Sequence, residues 1–149
     1  MPETLSFRGI SRDDIDELAA LVADAFVGYR SWGTLAREKQ TLAGHATFIP
    51  ATRHSQHAAP DLALAHLGHL FVKPAYWGSG VAAQLLTRAR TAANARGFAA
   101  MRLFVPAGQA RARRFYTREG FTQAGEPFDA GLALPVLEYR RSLCASLGA

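Results

Sequence analysis

The chain has 149 residues, 17 Lys plus Arg against 12 Asp plus Glu for a net charge of +5, an apolar fraction of 49% and a single cysteine. That length suits one domain, 1–149, with a sizeable core, and the balance of apolar and charged residues excludes a disordered or fibrous chain. No run of about 18 apolar residues is available to span a membrane, and Cys144 alone cannot form an internal disulfide.

The first stretch, MPETLSFRGISRDD, has no basic flank followed by an apolar core, so no secretory signal is expected there and the expected compartment is the cytoplasm. Within it LSFRGI (5–10) alternates and predicts a short strand. Ser11 and Asp14 are spaced as a capping box, and Ile15, Leu18, Ala19, Val22, Ala25 and Phe26 recur at helical spacing, which predicts a helix over about 12–27 closed by Gly28. Residues 31–51 predict two strands around a polar turn at 37–40, and TRHSQHAAPD (52–61) a loop.

LALAHLGHLFV (62–72) is apolar and extended, a candidate central strand stopped by Pro74. Val81, Ala82, Leu85, Leu86, Ala89 and Ala93 form the next helical face, with Gly97 as its C′ residue. FAAMRLFV (98–105) predicts a buried strand, GQARARRFYTRE (108–119) a helix ended by Gly120, and FTQAG and LPVLEYRR two closing strands. Strands and helices so ordered predict an α/β domain with a sheet of mixed direction.

The positive charge is almost all arginine, with Lys39 and Lys73 the only lysines, and it is spread along the chain except at Arg111, Arg113 and Arg114. A nucleic-acid binder shows clustered charge plus a motif, so nucleic acid is not the expected partner and an anionic small molecule is. His45, His54 and His57 show no metal-ligand spacing, so no metal is expected.

VKPAYWGSGVAAQLL (72–86) removes two side chains, at Gly78 and Gly80, where a strand hands over to a helix. The first amides of a helix lack partners and carry partial positive charge, and a phosphate is their natural guest. A plain tight turn would also use such glycines.

Here FVKPAYWGSGVAAQLL, followed at the right interval by RARRFYTREGF, resembles the GNAT superfamily of acetyl-CoA-dependent N-acetyltransferases. The resemblance implies a single-domain GNAT fold, a mixed, mostly antiparallel sheet flanked by helices with a splayed central strand pair. It implies acetyl-CoA as cosubstrate, its pyrophosphate held at Trp77, Gly78, Ser79, Gly80, Val81 and Ala82. Trp77 stands where Gln or Arg is usual in that motif. The strand residues Leu70, Phe71 and Val72 would align the pantetheine arm, Gln109 would touch it, and Arg111 or a neighbouring arginine would meet the 3′-phosphate. Tyr116 falls at the position of the tyrosine that protonates the departing thiolate.

A base must take a proton from the attacking amine. The family's glutamate positions fall at His66 or Gly68 here, so His66 and His69 are the candidates, histidine having a pKa near working pH. On a regular strand the two point to opposite faces. One helix stands where the family has two, which leaves Tyr29, Arg30 and Trp32 to line an acceptor pocket that is open, or completed by a second subunit of a homodimer. The expected activity is acetyl transfer from acetyl-CoA to a primary amine; the lack of a carboxylate base keeps a non-catalytic acyl-CoA-binding or regulatory module as the alternative.

Overall fold

The computed structural model describes residues 5–9, 32–38, 41–51, 61–129 and 134–143. The helix expected over 12–27 and residues 52–60 of the loop expected over 52–61 lie outside them, while Asp61, expected in the loop, opens a strand. The described strands are β1 (Ser6–Gly9), β2 (Trp32–Glu38), β3 (Thr41–Ala51), β4 (Asp61–Val72), β5 (Ala100–Pro106), β6 (Thr122–Gln123), β7 (Phe128–Asp129) and β8 (Pro135–Ser142). The helices are α1 (Val81–Ala95) and α2 (Ala110–Arg118), with a 3-10 turn at Pro74–Tyr76. The hydrogen-bonded order is β1-β2-β3-β4-β5-β8-β6, with β7 on β8; β4 and β5 pair in parallel, whereas β1–β2, β2–β3, β5–β8, β6–β8 and β7–β8 pair antiparallel. This is the mixed, mostly antiparallel α/β sheet expected from the sequence.

The chain divides into two compact units, with β3, β4 and α1 each contributing to both. The first unit holds β1, β2, β3 through Ile49, β4 from Gly68 and α1 through Ala89. Seven consecutive residues of β3, Leu42 to Phe48, are buried, so both of its faces are covered. The α1 stripe works as its spacing predicts: Val81, Leu85, Leu86 and Ala89 are buried, and each leucine so placed stabilises the fold by roughly 2 kcal/mol. At Gly44 the helix packs directly onto the sheet. A Cβ there would lie 2.5 Å from the Phe71 carbonyl oxygen and 3.2 Å from Leu85 Cδ1.

The second unit holds Pro50–Leu67 and everything from Arg90 onward. In it β5 pairs with β4 at three positions, Leu64↔Ala100 to His66↔Arg102, and with β8 along its whole length, Ala100↔Ser142 to Pro106↔Val136. Met101, Leu103 and Val105 alternate as one buried face of β5. Arg102 and Phe104 occupy the other face. Helix α1 ends as expected: Gly97 has φ +90°, and the Phe98 amide donates to the Ala93 carbonyl at 3.2 Å, a Schellman closure. Helix α2 ends at Gly120, φ +86°, and Arg141 donates to the Glu119 carbonyl there. A Cβ on Gly120 would lie 2.6 Å from Arg141 Nη1. β7 is an element the sequence reading lacks, and β5 begins at Ala100, two residues later than expected.

Candidate functional site

The strand-to-helix junction lies within the first unit. The Lys73 amide donates to the Ala43 carbonyl at 2.8 Å, which ties the end of β4 to β3. The 3-10 turn follows, with proline at its start. The Trp77 amide donates to the Pro74 carbonyl at 3.1 Å and the Ser79 amide to the Tyr76 carbonyl at 3.2 Å. Gly78 and Gly80 then adopt φ +79° and +86°. A Cβ on Gly78 would meet nothing within 4 Å, and one on Gly80 only the Gln84 side chain at 3.9 Å. The glycines are therefore required by backbone conformation and not by crowding, and the space around them is open.

The first helical bond runs from the Gln84 amide to the Gly80 carbonyl at 3.1 Å. The amides of Val81, Ala82 and Ala83 precede that ladder and are the orphan donors of a helix start. No acidic residue stands in the first turn. Left-handed glycines, amides unpaired among the described residues, the positive end of α1 and open space suit a diphosphate. Helix α1 opens at Val81, after Gly80; Ser79 does not cap it, its hydroxyl donating to the Tyr76 carbonyl instead.

Trp77 is 58% exposed, and its indole Nε1–H donates to the Val72 carbonyl at 2.8 Å. Lys73 faces β3 through its amide, so by strand alternation the main-chain groups of Val72 and Leu70 face away from β3. The Phe71 carbonyl lies against Gly44 of β3.

The two candidate bases have different surroundings. His69 is half-buried in the first unit, and burial holds its pKa below 6.5. Its ring centroid is 6.1 Å from that of His45, which is 6.1 Å from Phe71. His45 is fully buried, and among the described residues neither of its ring nitrogens has a hydrogen-bond partner. Desolvation, then the charge of a protonated His69, push its pKa down to about 4. Sequence reasoning assigns His45 no role; its one signal is its place on β3, directly after Gly44.

His66 belongs to the second unit. Its Nδ1 accepts from Arg102 Nε at 3.1 Å, and its ring centroid is 4.7 Å from that of Phe104. Arg102 is only 7% exposed and lies over the Phe104 ring. Burial lowers its pKa below the usual guanidinium range, while Glu138 acts in the other direction.

Helix α2 carries Tyr116, whose ring is flanked edge-on by Phe115 at 5.1 Å and Phe121 at 5.9 Å. Desolvation pushes its pKa up to about 12, so the phenol stays protonated. Among the described residues the Tyr116 hydroxyl is bonded to no group, whereas the Tyr139 hydroxyl accepts from Arg113 Nε at 3.3 Å. Gln109 is the N-cap residue of α2 and makes no side-chain cap bond. Arg111 is exposed. Arg113, Arg114 and Arg118 line a shallow depression of about 460 Å³ with Ala110, Thr117 and Tyr139.

Trp32 lies in β2 opposite Phe48; Tyr29 and Arg30 lie outside the described residues. Among the described residues no group of three or more His, Cys, Asp or Glu could hold a metal ion, and no helix is long and apolar enough to cross a membrane.

Comparison with known proteins gives one family match: the model of the acetyltransferase (GNAT) family matches residues 6–121. No curated protein sequence matches the chain. Among solved structures, an N-acetyltransferase from Staphylococcus aureus Mu50 is similar with a TM-score of 0.74 at 17% identity, over 95% of this chain and 99% of that one. The ribosomal-protein-S18-alanine N-acetyltransferase from Escherichia coli has a TM-score of 0.72 at 18% identity, over 94% of each chain. The yncA protein from Salmonella typhimurium, solved with its cofactor acetyl-CoA, has a TM-score of 0.71 at 19% identity, over 95% of each chain.

Proposed function

The chain belongs to the acetyltransferase (GNAT) family, and from that premise we propose that it moves the acetyl group of acetyl-CoA to a primary amine of a small molecule or peptide, by direct attack in a ternary complex. The observation that carries this reading is the open junction at Gly78 and Gly80, whose left-handed backbone presents the unpaired amides at the start of α1.

Each residue then has a task. The amides of Gly78 and of Gly80 to Ala82 hold the pyrophosphate. The outward main-chain groups of Leu70 and Val72 align the pantetheine arm. Tyr116, protonated and with its hydroxyl uncommitted among the described residues, donates to the sulfur as negative charge develops on it. Gln109 and one of the α2 arginines touch the cofactor.

His69 is the better base. Its lowered pKa leaves it neutral at pH 7 and so able to take up a proton. His66 already accepts a hydrogen bond from Arg102, and protonating it would set two cations side by side. In the step itself the amine nitrogen bonds to the thioester carbon, the carbon–sulfur bond breaks, His69 takes the amine proton and Tyr116 meets the thiolate.

The test is thermal shift with acetyl-CoA, coenzyme A and RNA, then thiol release from acetyl-CoA across a panel of amines. Stabilisation by acetyl-CoA and coenzyme A, with thiol release for some amine, is expected. Binding without turnover for any amine would leave only an acyl-CoA-binding module, and stabilisation by RNA alone would overturn the reading.

A further inference from the structure

Trp77 stands where the motif of the junction usually carries Gln or Arg, and its indole is turned back onto the strand. The Nε1–H to Val72 carbonyl bond, at 2.8 Å, closes a loop of five residues across the 3-10 turn. Val72 offers that carbonyl on the edge of β4 away from β3, as the Lys73 to Ala43 bond fixes by alternation. The same edge is assigned above to the pantetheine arm, whose amides need strand carbonyls as acceptors. Two donors therefore compete for one main-chain acceptor. The ring is 58% exposed, so it can leave without dismantling a core.

We propose that Trp77 is a specificity-determining residue of the cofactor site: its indole N–H satisfies the Val72 carbonyl in the free protein and yields it to an amide N–H of the pantetheine arm. This rests on the acetyl-CoA reading above. A ligand with the arm displaces the indole, whereas a bare nucleotide diphosphate fills the glycine junction and leaves the indole in place. The exchange of one neutral hydrogen bond for another sets the scale: removing the competing donor tightens arm-bearing ligands by about fivefold, the equivalent of one net hydrogen bond.

Calorimetry on the wild type and Trp77→Phe tests this with two probes, coenzyme A and adenosine 3′-phosphate 5′-diphosphate, which keeps the diphosphate and lacks the arm. Phenylalanine retains the aromatic surface and loses the N–H. The expected result is about fivefold tighter coenzyme A binding with the armless nucleotide unchanged. A change shared by both probes would report only a disturbed turn and would overturn the proposal, as would equal or weaker binding of coenzyme A. The chain has two tryptophans, so Trp32→Phe leaves Trp77 as the sole emitter and needs no change at position 77. Its emission should shift on saturation with coenzyme A and stay still with the armless nucleotide; an unmoved emission with coenzyme A bound overturns the proposal. If neither probe binds, the acetyl-CoA reading fails and the proposal with it, whereas binding without discrimination sinks the proposal alone.

Discussion

Arg102 Nε lies 3.1 Å from His66 Nδ1, at a rung where β4 and β5 pair in parallel. The bond commits one imidazole nitrogen of His66 and places a buried cation beside it. Of the two strand histidines, His66 is thereby built into its sheet, and the base proposed above is His69.

Substitution separates the two. His69→Ala should lower kcat by about a hundredfold, the usual worth of a positioned base. His66→Ala should cost activity less than about tenfold but lower stability by about 1–3 kcal/mol, because it leaves the buried Arg102 guanidinium short of an acceptor. Steady-state kinetics and urea unfolding on the two variants give the answer, and the reverse order of kinetic effects would transfer the role to His66.

The pH profile follows from the same histidine. Burial lowers the pKa of His69 below 6.5, so the base stays neutral further into acid than a free imidazole would. The acid limb of kcat/KM should therefore have its midpoint below pH 6.5, and His69→Ala should abolish that limb. A midpoint above 6.5 would contradict the assignment.

Stability should fall with acid for a second reason. Folding depresses the pKa of His45 from 6.5 to about 4, so between those values the unfolded chain binds more protons than the folded one. The contribution is full above pH 6.5 and is lost as pH falls toward 4, amounting to on the order of 3 kcal/mol. Urea midpoints measured from pH 7.5 to pH 4 should drop accordingly, and His45→Leu should flatten the slope.

Tyr116→Phe removes a hydroxyl bonded to nothing among the described residues, so thermal stability should hardly change. The kcat should fall by roughly ten- to a hundredfold through loss of a donor to the developing thiolate. Unchanged turnover would reduce Tyr116 to a packing residue.

Two glycines should respond differently. Gly80→Ala forces a left-handed side chain at φ +86°, a strain of roughly 1–2 kcal/mol, and should weaken acetyl-CoA binding in calorimetry. Gly44→Ala puts a methyl group 2.5 Å from the Phe71 carbonyl oxygen and should lower stability by about 1–3 kcal/mol through overpacking, read as a fall in Tm.

Much of this was legible in the residues because it is local. Val81, Leu85, Leu86 and Ala89 announce the buried stripe of α1, and Gly97 announces its Schellman end. Gly78 and Gly80 announce the left-handed turn. What escaped depends on register and side-chain direction. The Arg102–His66 bond joins residues 36 apart that meet only once β4 and β5 pair in parallel. Nothing in WGSG says that the indole bends back to Val72 or that the Ser79 hydroxyl turns to Tyr76. β7 has two residues, too few for any alternation to register. The buried His45 is invisible because its surroundings are assembled from β4.

The guanidinium lodged beside Gly120 makes two distant codons answer for one another. Enlarge residue 120 and Arg141 is evicted; shorten residue 141 and the last carbonyls of the helix bearing Tyr116 lose their cation. Laboratory evolution of a new amine preference would find variation tolerated at many surfaces of this enzyme, yet would have to inherit that glycine and that arginine together or neither.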